Sequence, residues 1–230
     1  MSTSTATSAV ASTTTRTWTA VLFDLDGTII DSAPSITDAL ERTFVALGLP
    51  VPSPADLLGY VGPPMLESFA VRAGLSESDA RDALAVYRGF YSGEALRTAV
   101  FPGMAGLIER LHRAGIPLAL ATSKPESVAT RLLEHFGLAQ YFTTITGASE
   151  DEVRSAKADV VGEALRRLQD AGVDISRSVM VGDRHYDALG AAAHGVPTIL
   201  VEWGYGSPAE ARDAIGSVHS TDQLCKKLLS

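Results

Sequence analysis

Short apolar runs recur along the chain at residues 20–24, 117–122, 142–147, 178–183 and 197–202. They are nearly continuous in hydrophobicity instead of alternating, as parallel strands buried on both faces are. Helix-period patterns fill the spaces between the later runs, at 103–113, 125–136, 157–168 and 187–194. Gly115, Gly137 and Gly195 close three of these helices, and Pro125 opens one. Strands alternating with helices predict an α/β fold, a doubly wound parallel sheet with a Rossmannoid core.

The stretch from Asp31 to Arg97 breaks that alternation. Leu40, Phe44 and Leu47 repeat at helical spacing within 37–47, and 65–73 and 76–96 are also helical in pattern. Proline-rich breaks around Pro50–Pro54 and at Pro63 and Pro64 separate them. Residues 32–97 are therefore read as an α-helical cap inserted into a core made of 18–31 and 98–230. Polar and turn residues mark both crossings, Asp31-Ser32-Ala33-Pro34 and Arg97-Thr98, which reads as a hinge. Asp31 and Ser32 by themselves read as helix caps.

Composition narrows the function. The chain has 230 residues, 46% of them hydrophobic, enough for one core and a small insert. Its formal net charge of −8 opposes nucleic acid and anionic membrane as partners. No apolar stretch reaches the roughly 20 residues that span a bilayer. Cys225 is the single cysteine, which excludes an intrachain disulfide and fits a reducing cytoplasm. Residues 1–17, rich in Ser, Thr and Ala, are expected to form a disordered tail and carry no secretory signature. Oligomeric state is not legible.

Two apolar runs end in acids. Ala20-Val21-Leu22-Phe23 leads into Asp24-Leu25-Asp26-Gly27-Thr28, and Ser178-Val179-Met180-Val181 leads into Gly182-Asp183, with Asp187 behind. In an open α/β sheet ligands bind beyond the carboxyl ends of the strands, so these acids, with Thr122 and Ser123, can converge. A hard divalent cation takes carboxylates, phosphate and water. Asp24 and Asp183 could supply carboxylates to Mg²⁺, and the Asp26 backbone carbonyl another oxygen. Thr122 could offer its hydroxyl, and Ser123 its amide, to a phosphate. Lysine occurs only at Lys124, Lys157, Lys226 and Lys227. Lys157 sits at a predicted helix start near this edge.

These motifs resemble those of the haloacid dehalogenase (HAD) superfamily, in that family's order. Asp24-Leu25-Asp26-Gly27-Thr28 is similar to its first signature, Thr122 in Ala-Thr-Ser-Lys to its second, Lys157 to its third, and Gly182-Asp183 through Asp187 to its fourth. Val61-Gly62-Pro63-Pro64-Met65 and Trp203-Gly204-Tyr205-Gly206 resemble the phosphoglycolate phosphatase-like branch, which includes nucleotidase-like members. The resemblance implies a Mg²⁺-dependent phosphatase of small-molecule phosphate esters. Asp24 would be the nucleophile and Asp26 the general acid and base. Gly27, Thr122, Ser123 and Lys157 would bind the phosphate. Asp24, Asp26 and Asp183 would hold the metal, with Asp187 acting behind them. The cap would be a lid, with Gly62-Pro63-Pro64 touching substrate. Its arginines Arg42, Arg72, Arg81, Arg88 and Arg97 read as solvated faces, one of them free to meet an anion.

Single residues sort the relatives. Asp26, Asp183 and Asp187 argue against dehalogenase chemistry. Residues 32–97 hold no lysine for a phosphonoacetaldehyde hydrolase Schiff base, and Ile36 stands where β-phosphoglucomutases carry histidine. A mycobacterial protein-tyrosine kinase built on this fold is also similar, around 61–65, 121–124 and 191–195. It supplies the alternative reading, ATP-dependent transfer to tyrosine. No Gly-x-x-x-x-Gly-Lys-Ser/Thr loop is present to grip a nucleotide.

Overall fold

The computed structural model describes residues 17–230, so the expected tail lies outside the described residues except for Thr17. In chain order the elements are β1 (Ala20–Phe23), β2 (Ile30–Asp31), α1 (Ala33–Ala46), α2 (Pro54–Leu58), α3 (Met65–Val71), α4 (Glu77–Glu94), β3 (Ala99–Val100) and α5 (Met104–Arg113). Then come β4 (Leu118–Pro125), α6 (Glu126–His135), β5 (Thr144–Ala148), α7 (Lys157–Asp170), β6 (Ser178–Gly182), α8 (His185–Ala192), β7 (Thr198–Val201), β8 (Gly216–Val218) and α9 (Thr221–Leu229).

Six strands pair in parallel in the order β5-β4-β1-β6-β7-β8. Strand period two sends alternate residues to opposite faces. Val21 and Phe23 of β1 join Leu118 and Leu120 of β4 in a cluster with α5, α6 and α9. Ala20 and Leu22 join Ala119 and Ala121 in a second cluster under α7 and α8. The sheet is thus covered on both sides, which is why its strands read as continuous apolar runs.

A third cluster belongs to α1–α4 and holds Leu40, Phe44, Phe69, Leu84 and Tyr87. The two crossings of this helical insert are joined. Ile30–Asp31 pairs antiparallel with Ala99–Val100, a contact the apolar pattern of so short a segment does not announce. Thr98 Oγ1 adds a bond to the Asp31 carbonyl.

Several elements differ from the pattern-based expectation. The proline-rich break contains a helix, α2, because Ser53 caps the Asp56 amide and Pro54 occupies the first turn. Helix α1 starts at Ala33, well before Thr37, with Pro34 in its first turn. Ser32 holds the N-cap position of α1 without a side-chain cap bond, and Asp31 instead accepts from the Tyr205 hydroxyl at 2.9 Å. Helix α8 starts at His185, so Asp187 is its third residue. Strand β8 and helix α9 are additions to the pattern-based expectation: β8 has only three residues, whereas α9 buries Leu224, Cys225 and Leu228 at helical spacing.

β1, β4 and β6 lie side by side, and Phe23 is level with both Leu120 and Val181. Asp24, Thr122 and Asp183 follow within two residues at the same sheet edge. Leu120 is fully buried on the central β4. Leu120→Ala is expected to lower the unfolding free energy by about 2–5 kcal/mol, read from urea midpoints at unchanged m-value.

Candidate active site

The edge brings together Asp24, Asp26, Asp183, Asp187, Lys124 and Lys157, all buried. Lys157 enters from the start of α7. Its ammonium lies 2.7 Å from Asp24 Oδ1, 2.9 Å from Asp187 Oδ1 and 3.2 Å from the Ala121 carbonyl. Its stem passes Gly190 of α8, where a Cβ would stand 2.5 Å from Lys157 Cγ, so the neighbouring helix needs glycine there. Lys124, ambiguous in the sequence because Pro125 follows it, points into the site. It donates to both oxygens of Asp26 at 3.0 Å.

Gly27 turns the loop after β1 with φ +80°, and a Cβ on it would come within 2.2 Å of Asp183 Oδ2. That close approach lets the first and fourth motifs meet. Asp183 Oδ2 accepts from the Tyr205 amide at 2.7 Å, whereas Asp183 Oδ1 is buried without a partner. Asp187 Oδ2 accepts from the amides of Asp183 and Arg184, fixing the turn that presents Asp183. Thr122 Oγ1 accepts from the Lys124 amide at 3.3 Å, and Ser123 Oγ is buried without a partner.

Four carboxylates here face two ammonium groups, an excess of two negative charges. Burial, opposed by Lys157 and reinforced by Asp187 and Asp26, pushes the Asp24 carboxyl up to about 6. Burial, then Asp187 and Asp24, raises Asp183 well above the ordinary carboxylate range. Burial disfavours the Lys157 ammonium, but Asp187 and Asp24 outweigh it and hold its pKa above the lysine norm. Ligand oxygens of Asp24, Asp183 and Asp187 lie within 4.8 Å of one another. An all-oxygen set, an unpartnered Asp183 oxygen and two uncompensated charges fit a hard divalent cation.

The Haloacid dehalogenase-like hydrolase family model matches residues 21–201. The chain belongs to the haloacid dehalogenase-like hydrolases. It is 45% identical over 187 residues to tyrosine-protein kinase PtkA of Mycobacterium tuberculosis, covering 81% of this chain but only 62% of that protein's length. It is 36% identical over 210 residues to a 5'-nucleotidase of Pseudomonas aeruginosa, covering 90% of this chain and 91% of that one. The crystal structure of a predicted phosphatase from Clostridium acetobutylicum superposes with a TM-score of 0.86 at 36% identity, over 91% of this chain and 97% of the other.

A cavity of about 180 Å³ separates the helical insert from the sheet edge. Asp26, Ser123 and Lys124 line it from the sheet side, and Gly62 and Pro63 from the insert. Of the five arginines of the insert, Arg88 lines it, paired with Glu152 across the gap. Arg42 pairs with Asp38, Arg81 with Glu77 and Arg97 with Glu94, while Arg72 lies over Tyr60.

Three residues not assigned to the site by sequence stand around it. Arg184, next to Asp183, donates to the Val61 carbonyl at 2.8 Å and to Glu210 at 3.0 Å. Glu210 also receives the His185 amide and ring. Tyr205 bridges Asp31 and the Ala33 amide through its hydroxyl. The Glu210 signal was a Ser-x-x-Glu capping box at Ser207, legible in principle. No membrane-crossing candidate occurs, since no described helix is long and apolar enough.

Burial works against the Glu210 carboxylate, but bonds from His185, Ser207 and Arg184 outweigh it and hold its pKa at about 2, below the ordinary 4.5. A depressed acid stabilises the fold above its unfolded value, and that contribution is lost as pH falls from 4.5 toward 2. Glu210→Gln is therefore expected to unfold at lower urea than the wild type at about pH 7, with the gap narrowing at about pH 3.5. A gap independent of pH would contradict this.

Proposed function

We propose that the chain is a Mg²⁺-dependent phosphatase of small phosphate monoesters, phosphoglycolate- or nucleotide-like, acting through an aspartyl-phosphate. The observation that carries this reading is the buried meeting of Asp24 and Asp26 with Lys157 and Lys124 beside Asp183. Asp24 attacks phosphorus in line with the ester oxygen, forming an acyl phosphate as the bond to the leaving alcohol breaks. Asp26 gives that alcohol a proton, then takes one from the water that hydrolyses the acyl phosphate and frees Asp24. Lys124, bonded to both Asp26 oxygens, orients this carboxyl group. Lys157 and the Thr122 hydroxyl hold the phosphoryl oxygens, with Gly27 and the Ser123 amide leaving room and donating. Asp24, the Asp26 carbonyl and Asp183 would hold Mg²⁺, which when bound offsets the charge of the phosphoryl group and the acids. Asp187 positions Asp183 and Lys157.

The insert, residues 32–97, is the lid of this reading, hinged at the β2–β3 pair, and residues 18–31 and 98–230 are the catalytic core. The setting is cytoplasmic, without a nucleic-acid partner. The 45%-identical relative supports a second reading, transfer of the same aspartyl phosphoryl group from ATP to tyrosine. Both readings share Asp24, and phosphate release separates them.

Phosphate release from a panel of monoesters is expected with Mg²⁺ and not with a chelator. Asp24→Asn is expected to lower kcat by about 10⁴-fold or more with little change in thermal unfolding, because the carboxamide cannot attack. Full turnover by Asp24→Asn would remove the nucleophile assignment. No phosphate release from any ester, with phosphorylation of a tyrosine peptide from ATP, would favour the second reading.

A further inference from the structure

Resting on the phosphatase reading, we infer that the cavity over Asp26 selects esters whose leaving alcohol carries a planar, uncharged ring, in preference to esters of small carboxylated alcohols. Asp26 is the group that hands a proton to the leaving oxygen, and it lines the cavity floor. Whatever leaves must therefore stand in that space. The walls above it are Ile36, Tyr60, Met65, Leu84, Tyr87 and Tyr91. Tyr87 and Tyr91 lie nearly parallel, ring centres 5.5 Å apart at 10°, and the Lys124 ammonium lies over the Tyr91 ring, so Tyr87 and Tyr60 supply the aromatic part of the wall. Aromatic surfaces of this kind favour a second ring by offset or edge contacts.

The charges of the lining do not favour an anion. Lys124 gives its ammonium to Asp26, with the Tyr91 ring 4.6 Å from its nitrogen. Arg88 is paired with Glu152. Arg131 has no acid partner among the described residues, but it is exposed, where water and salt weaken its field, and Glu150 lines the same cavity. A carboxylate entering here would lose water, and the buried cation of the lining, Lys124, is already held between Asp26 and the Tyr91 ring. Two polar atoms of the lining, Ser123 Oγ and the Tyr91 hydroxyl, are buried without a hydrogen-bond partner and able to donate to or accept from a neutral oxygen or ring nitrogen. An apolar body with a few hydrogen-bonding points is the usual make-up of a site for a neutral ligand.

The ring could be a phenol or a nucleobase, so the experiment carries both. Steady-state kcat/KM with Mg²⁺ is measured for phenyl phosphate, adenosine 5'-monophosphate, phosphoglycolate and acetyl phosphate. One or both ring esters are expected to exceed phosphoglycolate by about tenfold, and the better of the two identifies the ring. Tyr87→Leu, which keeps the site filled, is expected to lower the ring-over-glycolate ratio by about tenfold. Arg131→Ala should leave the ratio unchanged. Phosphoglycolate turned over as well as or better than both ring esters, or a glycolate rate that collapses in Arg131→Ala, overturns the inference and leaves the phosphatase reading standing. The wild-type comparison decides this even if the Tyr87 variant does not fold. Silence with the three esters and with acetyl phosphate, an acyl phosphate, overturns the phosphatase reading, and the inference with it.

Discussion

The crowding of four carboxylates at one buried sheet edge is the constraint to which the rest of the structure answers. Two like charges 4 Å apart cost on the order of 4 kcal/mol even at an effective dielectric of 20. Lys157 relieves Asp24 and Asp187, and Lys124 relieves Asp26. Each lysine has to be delivered from its own element, and the packing follows from that. Helices α7 and α8 meet at Gly190 so that the Lys157 stem can pass. The loop after β1 turns at Gly27 so that Asp183 can approach. Loss of a lysine here would strand buried carboxylates, which typically costs about 3–5 kcal/mol, whereas loss of the Asp24 charge leaves Lys157 paired with Asp187.

The helical insert is tied to this edge by groups that also border the chemistry. The short β2–β3 pair holds its two crossings together. Tyr205 joins Asp31 and Ala33 through its side chain and Asp183 through its amide, so one residue touches both the crossing and an acid of the site. Arg184 carries the Val61 carbonyl against the same turn, and Arg88 meets Glu152 on the opposite side. The cavity between them is therefore shaped by insert and core together, with Asp26 on one wall and aromatic rings on the other.

Much of the fold was legible because its signals are local. Five strands appeared as apolar runs since parallel strands covered on both faces are mostly apolar, with threonines such as Thr144 and Thr146 of β5 the exceptions. Helices α5, α6 and α8 announced themselves by period and by glycine or proline at their ends, and α7 by period alone. β8 did not, because a three-residue edge strand shows no period, while α9 carried a legible signal in Leu224, Cys225 and Leu228 at helical spacing. α2 was hidden under prolines that break helices in general but open this one. Asp24, Asp26, Asp183 and Lys157 were legible as acids at the ends of apolar runs and a scarce lysine at a helix start.

The sequence by itself determined the order of the strands and helices along the chain and which side chains could do chemistry at the sheet edge. Those follow from periodicity and residue type, which a few neighbouring positions express. Only the tertiary structure decided that Lys124 grips Asp26, that Arg184 and Tyr205 fasten the insert beside Asp183, and that Tyr87 and Tyr91 of α4 stand over the acid. These partners are separated by tens to well over a hundred residues, and no local pattern encodes which lysine, arginine or tyrosine will meet which acid across a sheet edge. Burial then fixes the outcome, because a charge taken out of water must find its partner within hydrogen-bond distance.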